Sequence, residues 1–317
     1  MELLGIDIGG TKCAVVRGNE KGEVLAKEKF ETTNVTDTLA KIFEVAQKLK
    51  GNSVAVGISC GGPLDSKKGV IMSPPNLPGW DNIEIVKMVE EKLGLPAYLC
   101  NDANACALAE WHFGAGKGST NMVFLTFGTG MGAGLILDGK LYEGTNGNAG
   151  EVGHIRMAPY GPVGFGKQGS FEGFVSGGGI AQVGKTMAME ALQNGKKPLY
   201  CDHISKLDTV TAKTVAIAAK DGDETAIEVY KQTGRMLGMG LSILVDIINP
   251  DCIVIGSIYQ RDAALMQEEM EKILNKEAIP ASVEAVSIRS ALLGDSIGDA
   301  AALALALTCA ERNGLVC

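Results

Sequence analysis

Residues 3–16, LLGIDIGGTKCAVV, read as a strand, a tight glycine turn and a second strand. Residues 121–137, NMVFLTFGTGMGAGLIL, read the same way. Laying Leu4–Thr11 over Val123–Gly130 puts Gly9 on Gly128, Gly10 on Thr129 and Thr11 on Gly130. In each copy a polar turn and a third strand follow. A repeat whose unit is half a protein implies two similar α/β lobes, each carrying one glycine hairpin. Glycines between two strands let a ligand approach the backbone and leave amide N–H groups for anionic oxygens. Two such turns suit a phosphate chain. Asp7, at the end of the first strand, is placed to hold Mg²⁺ through water, and Thr11 and Lys12 to meet phosphate.

Outward from these copies, strands and helices alternate. Residues 36–50 have helical apolar spacing, NSVAVGIS is a buried strand, and IEIVKMVEEKLG is a helix ending at Gly94. The strand PAYLC leads into the helix ANACALAEWHFGAG. Residues 179–235 read as mostly helical, broken at Asp221-Gly222-Asp223, and the helical run stops at Asn249-Pro250. DCIVIGS and VEAVSIRS read as strands, and DSIGDAAALALALTCAERN as a last helix.

The chain has 317 residues, 46% of them hydrophobic, and a net charge of −8 from 29 Lys+Arg against 37 Asp+Glu. That size supports two cores. The acidic balance and the lack of a basic run argue against a nucleic-acid partner. Met1 runs straight into an apolar strand without a basic leader, and the apolar stretch MLGMGLSILVDIINP is short and interrupted by Asp246. A cytoplasmic protein with no membrane partner is expected. The eight cysteines, at positions 13, 60, 100, 106, 201, 252, 309 and 317, form no CxxC pair. They read as reduced thiols rather than a disulfide framework or a zinc cluster.

Asn101-Asp102 stand between the strand PAYLC and the next helix. Both are favoured N-caps. A carboxylate on this rigid junction also suits a general base, and a helix N-terminus would keep it ionised. Glu151, His154 and Glu172 lie among glycines; two carboxylates and an imidazole suit sugar hydroxyls. Gly179–Thr186, GIAQVGKT, matches the pattern G-x-x-x-x-G-K-[ST] in full. No buried strand precedes it, and its apolar positions continue at helical spacing, so a helix starting near Ser176 is expected instead of a phosphate loop.

DIGGTK, GISCGGPLD, PPNLPGW, NDANA, FGTGMGAG, EVGH, SFEGFVSG and GRMLGMGLSILVDIINPDCIVIG occur in this order. Together they resemble the ROK family of sugar kinases and repressors, within the actin-like ATPase superfamily. The resemblance implies two ribonuclease-H-like lobes with a cleft between them. The small lobe would be residues 1–107, joined by the C-terminal helix 297–317. The large lobe would be 108–296, with its helical segment 179–235. It implies ATP-dependent transfer of the γ-phosphoryl group to a hexose hydroxyl, most simply of glucose, by a cytoplasmic homodimer. By resemblance Asp102 is the catalytic base. Gly62, Asn76, Asn101, Asp102, Glu151, His154 and Glu172 line the sugar. Asp7, Gly9, Gly10, Thr11, Lys12, Thr129, Gly130 and Gly256 serve ATP and Mg²⁺.

Members of the family often carry a zinc loop, C-x-C-G-x-x-G-C-x-E, after the histidine. Here Val163, Phe165 and Ser170 stand at its cysteine positions, so no structural zinc is expected. Packing of Val163, Phe165 and Phe171 would order the loop in its place. Gly256 is followed by Ser257 and the bulky Tyr259 where relatives have more glycine, a departure that bears on adenine contacts. An N-acetylmannosamine kinase is the near alternative. A non-catalytic sugar sensor, a repressor and a P-loop NTPase built on Lys185 are the alternatives of other classes.

Overall fold

The computed structural model describes residues 1–316. Cys317 lies outside them. The chain divides into two compact units. One comprises Met1–Phe124, Gly134–Ala149 and the chain from Leu292 onward; the other comprises Leu125–Ala133 and Gly150–Ala291.

In the first unit the elements run β1 (Glu2–Ile8), β2 (Lys12–Asn19), β3 (Val24–Glu31), α1 (Val35–Leu49), β4 (Ser53–Cys60), α2 (Ile85–Leu93), β5 (Ala97–Cys100) and α3 (Asp102–Phe113). The sheet order is β3-β2-β1-β4-β5. The hairpin pairs are antiparallel and the β1–β4 and β4–β5 pairs parallel. Strand β1 is buried on both faces, as central strands of covered sheets are. On one face α1 packs its stripe of Leu39, Ile42, Phe43, Val45 and Ala46. The C-terminal helix Ile297–Arg312 is buried on all sides from Ala300 to Ala310 and packs against β1, β4 and α3. A Cβ at Gly57 would collide with the Ala302 carbonyl, so glycine there lets the helix backbone lie directly on β4.

The second sheet has the same order: β6 (Met122–Phe127), β7 (Met131–Leu137), β8 (Lys140–Tyr142), β9 (Cys252–Ile255) and β10 (Ser287–Ser290) run β8-β7-β6-β9-β10. The repeat read from the two glycine turns is therefore a repeat of topology. The second unit adds α4 (Gly177–Gln193), α5 (Ala212–Lys220), α6 (Glu224–Ile248) and α7 (Gln267–Glu277). Asn249 ends α6 at φ 51°, in the left-handed region. The expected strand over VEAVSIRS is only Ser287–Ser290; Pro280 starts a short helix, Pro280–Ala285, which takes up its beginning.

The contact-defined units divide the chain elsewhere than at 107/108. Glu110 and Trp111 explain the first difference. The Glu110 carboxylate accepts the amides of Ala115 (2.8 Å), Leu292 (3.0 Å) and Leu293 (2.9 Å). The Trp111 indole N–H donates to the Ser119 carbonyl at 2.8 Å. Both tie the chain beyond α3 to the first unit. Tyr98 does the same for Gly134–Ala149, its hydroxyl donating to Glu143 at 2.9 Å. Among the described residues no helix is long and apolar enough to cross a membrane, and seven cysteines are free, six of them buried.

Candidate active site

The glycine turn of the first unit is closed by its own backbone and by one residue the motif reading missed. The Gly9 amide donates to the Lys12 carbonyl at 3.2 Å. Thr32 donates its hydroxyl to the Gly9 carbonyl at 2.6 Å, and its amide to the Thr11 carbonyl at 3.0 Å. Thr32 lies just beyond β3, and only the antiparallel register of β2 and β3 brings it to the turn. The side chains of Thr11 and Lys12 are exposed. Gly10 is packed so closely on Asn76 that a Cβ would stand 2.5 Å from the Asn76 carbonyl. The exposed Asn76 is thus held beside the turn, while the exposed Gly62 has no comparable neighbour.

Asp7 and Asp102 both lie in this unit. Burial, then the charges of Asp299 and Asp102, push Asp7 up to about 6. Lys29, then Lys27, partly offset this, and Lys27 is bonded to Asp299 at 2.6 Å. The described residues bring no three carboxylates or imidazoles together as direct metal ligands, so Asp7 fits a divalent cation only through water. Such a cation would favour the ionised form that burial and the neighbouring carboxylates disfavour. Asn101 caps α3, its side-chain oxygen accepting the Asn104 amide at 2.8 Å. Asp102 accepts the Ala103 amide at 2.9 Å and keeps an exposed edge in an otherwise crowded recess. Desolvation raises its carboxyl above the ordinary aspartate value, and the amides of Ala103 and Asp102 itself only partly lower it. The amides at the helix terminus favour the anion, as expected, but do not fully offset the desolvation.

In the second unit the corresponding turn is closed by the Gly128 amide donating to the Gly130 carbonyl at 3.1 Å. Thr126, at the position of Asp7, accepts the Gly132 amide at 2.9 Å. The repeat therefore conserves the turn but puts a hydroxyl where the first copy has a carboxylate. Glu172 accepts the Met131 amide at 3.0 Å and lies against Gly130. Gly153 packs on the Met131 carbonyl, which sets the exposed Glu151 and His154 beside the same turn. Glu172 is thus held at the Thr129–Gly130 turn, and the backbone of the segment carrying Glu151 and His154 lies beside it.

A cavity of about 700 Å³ opens in this unit between Gly128-Thr129, the start of α4, α5 and the chain after β9. Its walls include Ser257, which the sequence ties to adenine contacts, and Gly177, Gly178, Lys213 and Arg261, to which the motifs assign no role. The buried Gly256 donates its amide to the Leu125 carbonyl at 3.0 Å and so supports Ser257 without lining the cavity. Tyr259 is buried away from it, so its bulk does not intrude on the cavity. The sequence Gly179–Thr186 lies inside α4, capped by the Ser176 hydroxyl, and Lys185 pairs with Asp208 at 3.2 Å. The expected helix is there, and no strand-to-loop phosphate cradle is present at those residues.

The loop after His154 departs from the expected packing. Phe171 is fully buried, but Val163 is 42% and Phe165 82% exposed, so the latter two add nothing to a core. Val163 is held instead by the Gln182 side chain, and Ser170 is used as a helix cap.

The sequence profile of the ROK family matches residues 3–309. The glucokinase of Streptomyces coelicolor is 32% identical over 301 residues, covering 93% of this chain and 94% of that one. A xylose repressor of Caldicellulosiruptor bescii is 28% identical over 307 residues, covering 92% of this chain and 75% of that one. A ROK family glucokinase from Streptomyces griseus, solved in complex with glucose and AMPPNP, matches with a TM-score of 0.74 at 30% identity, covering 97% of this chain and 100% of that one. The two lobes have the actin-like ATPase fold.

Proposed function

This chain belongs to the ROK family, and we propose that it is an ATP-dependent hexose kinase with glucose as its acceptor. One observation carries the reading: Asp102 stands at the head of a helix, its carboxylate held by the Ala103 amide and still exposed to an incoming alcohol. The glycine turns, the cavity beside Thr129 and the likeness to glucokinases support it.

In this reading Gly62, Asn76, Asn101, Glu151, His154 and Glu172 bind the sugar and orient one hydroxyl. Asp102 accepts that hydroxyl's proton as the oxygen bonds to the γ-phosphorus and the bond from that phosphorus to the bridging oxygen breaks, releasing ADP. Proton transfer of this kind contributes about 10²–10⁴-fold. Amides of Gly10 in the first turn and of Thr129–Gly130 in the second serve the spread negative charge of the transferred group, and Gly9 shapes the first turn. Asp7 would hold Mg²⁺ through water, and the ion would offset phosphate charge when bound. The cavity near Gly256 and Ser257 takes the nucleoside. The division 1–107 with 297–317 against 108–296 assigns the base to one lobe and the Glu151–His154–Glu172 group to the other. We place the enzyme in the cytoplasm as a homodimer.

A coupled ADP-release assay over hexoses and N-acetylhexosamines tests the reading with ATP, and sugar-phosphate formation compares ATP with polyphosphate as donor. Glucose with ATP should give the highest kcat/KM. A preference for N-acetylmannosamine would reassign the acceptor. Sugar binding without ADP release would make the chain a sensor. Asp102→Asn should lower kcat by about 10²–10⁴-fold, while Lys185→Ala should leave turnover intact; the reverse pattern would overturn the assignment.

A further inference from the structure

The loop from His154 to Phe171 is where a ROK protein of the zinc-bearing kind would hold its metal, and the residues here do not fit one. Ser170 spends its hydroxyl oxygen on the Gly173 amide at 3.1 Å, and Val163 and Phe165 offer no donor atom. No group of three His, Cys, Asp or Glu among the described residues could hold a metal ion.

Polar side chains hold the loop instead. The Gln182 amide group clasps Val163 on both sides: its oxygen accepts the Val163 amide at 2.9 Å, and its nitrogen donates to the Val163 carbonyl at 2.8 Å. Arg156 donates to the Gln168 carbonyl at 3.0 Å across the loop. Lys167 donates to the His154 carbonyl at 2.5 Å. These bonds fix a two-strand ribbon, Val163-Gly164 paired with Lys167-Gln168, and Phe165 stands at its tip.

Phe165 is not explained by stability. It has φ 43°, a region that disfavours a side chain, and it is 82% exposed. Its ring meets the imidazole of His154 edge-on, with centroids 5.4 Å apart and planes at 90°. A strained, exposed aromatic residue resting on a candidate ligand-binding side chain points to function rather than to the core. We propose that Phe165 is the positioning residue of His154, doing by ring contact what a metal bond does in a zinc loop, and that Gln182 anchors the ribbon that presents it. A histidine bound to metal through one nitrogen has one nitrogen left for a sugar. A histidine held by ring contact keeps two, so Phe165 also shapes which hydroxyl pattern the site accepts.

This inference rests on His154 binding the sugar. The test compares wild type, Phe165→Ala, Phe165→Tyr and Gln182→Ala by steady-state kinetics, by calorimetric glucose binding and by thermal melting. Phe165→Ala should raise the glucose KM and Kd about three- to tenfold, the size of one aromatic contact. Its kcat should stay within about twofold, and its KM for ATP and melting midpoint should not move. Phe165→Tyr should restore the glucose KM. Gln182→Ala should speed hydrogen exchange at the Val163 amide and raise the glucose KM in the same direction as Phe165→Ala. An unchanged glucose KM and Kd in Phe165→Ala, or a loss that tracks a lower melting midpoint and is not rescued by tyrosine, would overturn the proposal. Absence of turnover by the wild type on every sugar would instead tell against the kinase reading.

Discussion

Asp102 binds a proton more tightly in the fold than in the unfolded chain, because its surroundings cannot solvate the anion well. The sign follows from linkage. The ionised carboxylate costs stability above its folded pKa, and that cost vanishes below the ordinary aspartate value. Asp102→Asn should therefore melt at a higher temperature than wild type at pH 8, with the difference gone near pH ~3.5. Equal midpoints at pH 8 would contradict the raised value. In the active enzyme the same group must be unprotonated, so kcat/KM should fall with acid at a pH above about 4. Ser257 is a second residue under local strain, at φ 57° and ψ −108° beside the cavity. Ser257→Gly should raise the unfolding free energy by about 1 kcal/mol in urea; a loss would mean that the serine makes offsetting bonds in the fold. The motif reading placed Asp102 on the correct junction, yet it could not weigh burial against the helix terminus, because burial depends on atoms from elsewhere in the chain. It missed Thr32 for the same reason: nothing near position 32 signals a glycine turn more than twenty residues earlier.

The junction of α3 with the C-terminal helix depends on one buried carboxylate. Glu110 is fully buried and accepts amides from Ala115, Leu292 and Leu293. Removing it leaves three donors without an acceptor. Glu110→Ala should destabilise the protein by about 2–4 kcal/mol in denaturant unfolding, and Glu110→Gln by less, since it keeps one acceptor oxygen. A change under about 0.5 kcal/mol for the alanine variant would show that the amides find other partners. Elements with strong local signals were legible in the sequence. Gly94, at φ 65°, ends α2 as expected, and Ser176 starts α4 across a perfect phosphate-loop pattern. The pattern failed as a phosphate loop because helical periodicity carried through it. The ribbon at Val163–Gln168 was not legible: its partners Arg156 and Gln182 are polar residues whose spacing is neither strand-like nor helical.

At the scale of the molecule, the duplicated sheet is the main finding. Two five-stranded sheets share one order, and each begins with a glycine-turn hairpin. A ligand that binds only the folded state stabilises it by mass action. Glucose at about one hundred times its Kd should add about 2.7 kcal/mol to the unfolding free energy, read as a raised melting midpoint. A sugar that is not an acceptor should leave the midpoint where it was, and so should glucose if the acceptor assignment is wrong. The amino-acid sequence by itself determined most strands of the two large sheets, the two glycine turns, limits of helices such as α2 and α4, and the family, because φ/ψ preference and apolar period are written in neighbouring residues. Tertiary structure alone decided that Phe165 rests on His154 outside any core, that Glu110 binds amides some 180 residues away, and that Asp102 holds its proton more tightly. These depend on atoms that only folding brings together, and desolvation and ring contact act over a few ångströms of space, whatever the distance along the chain.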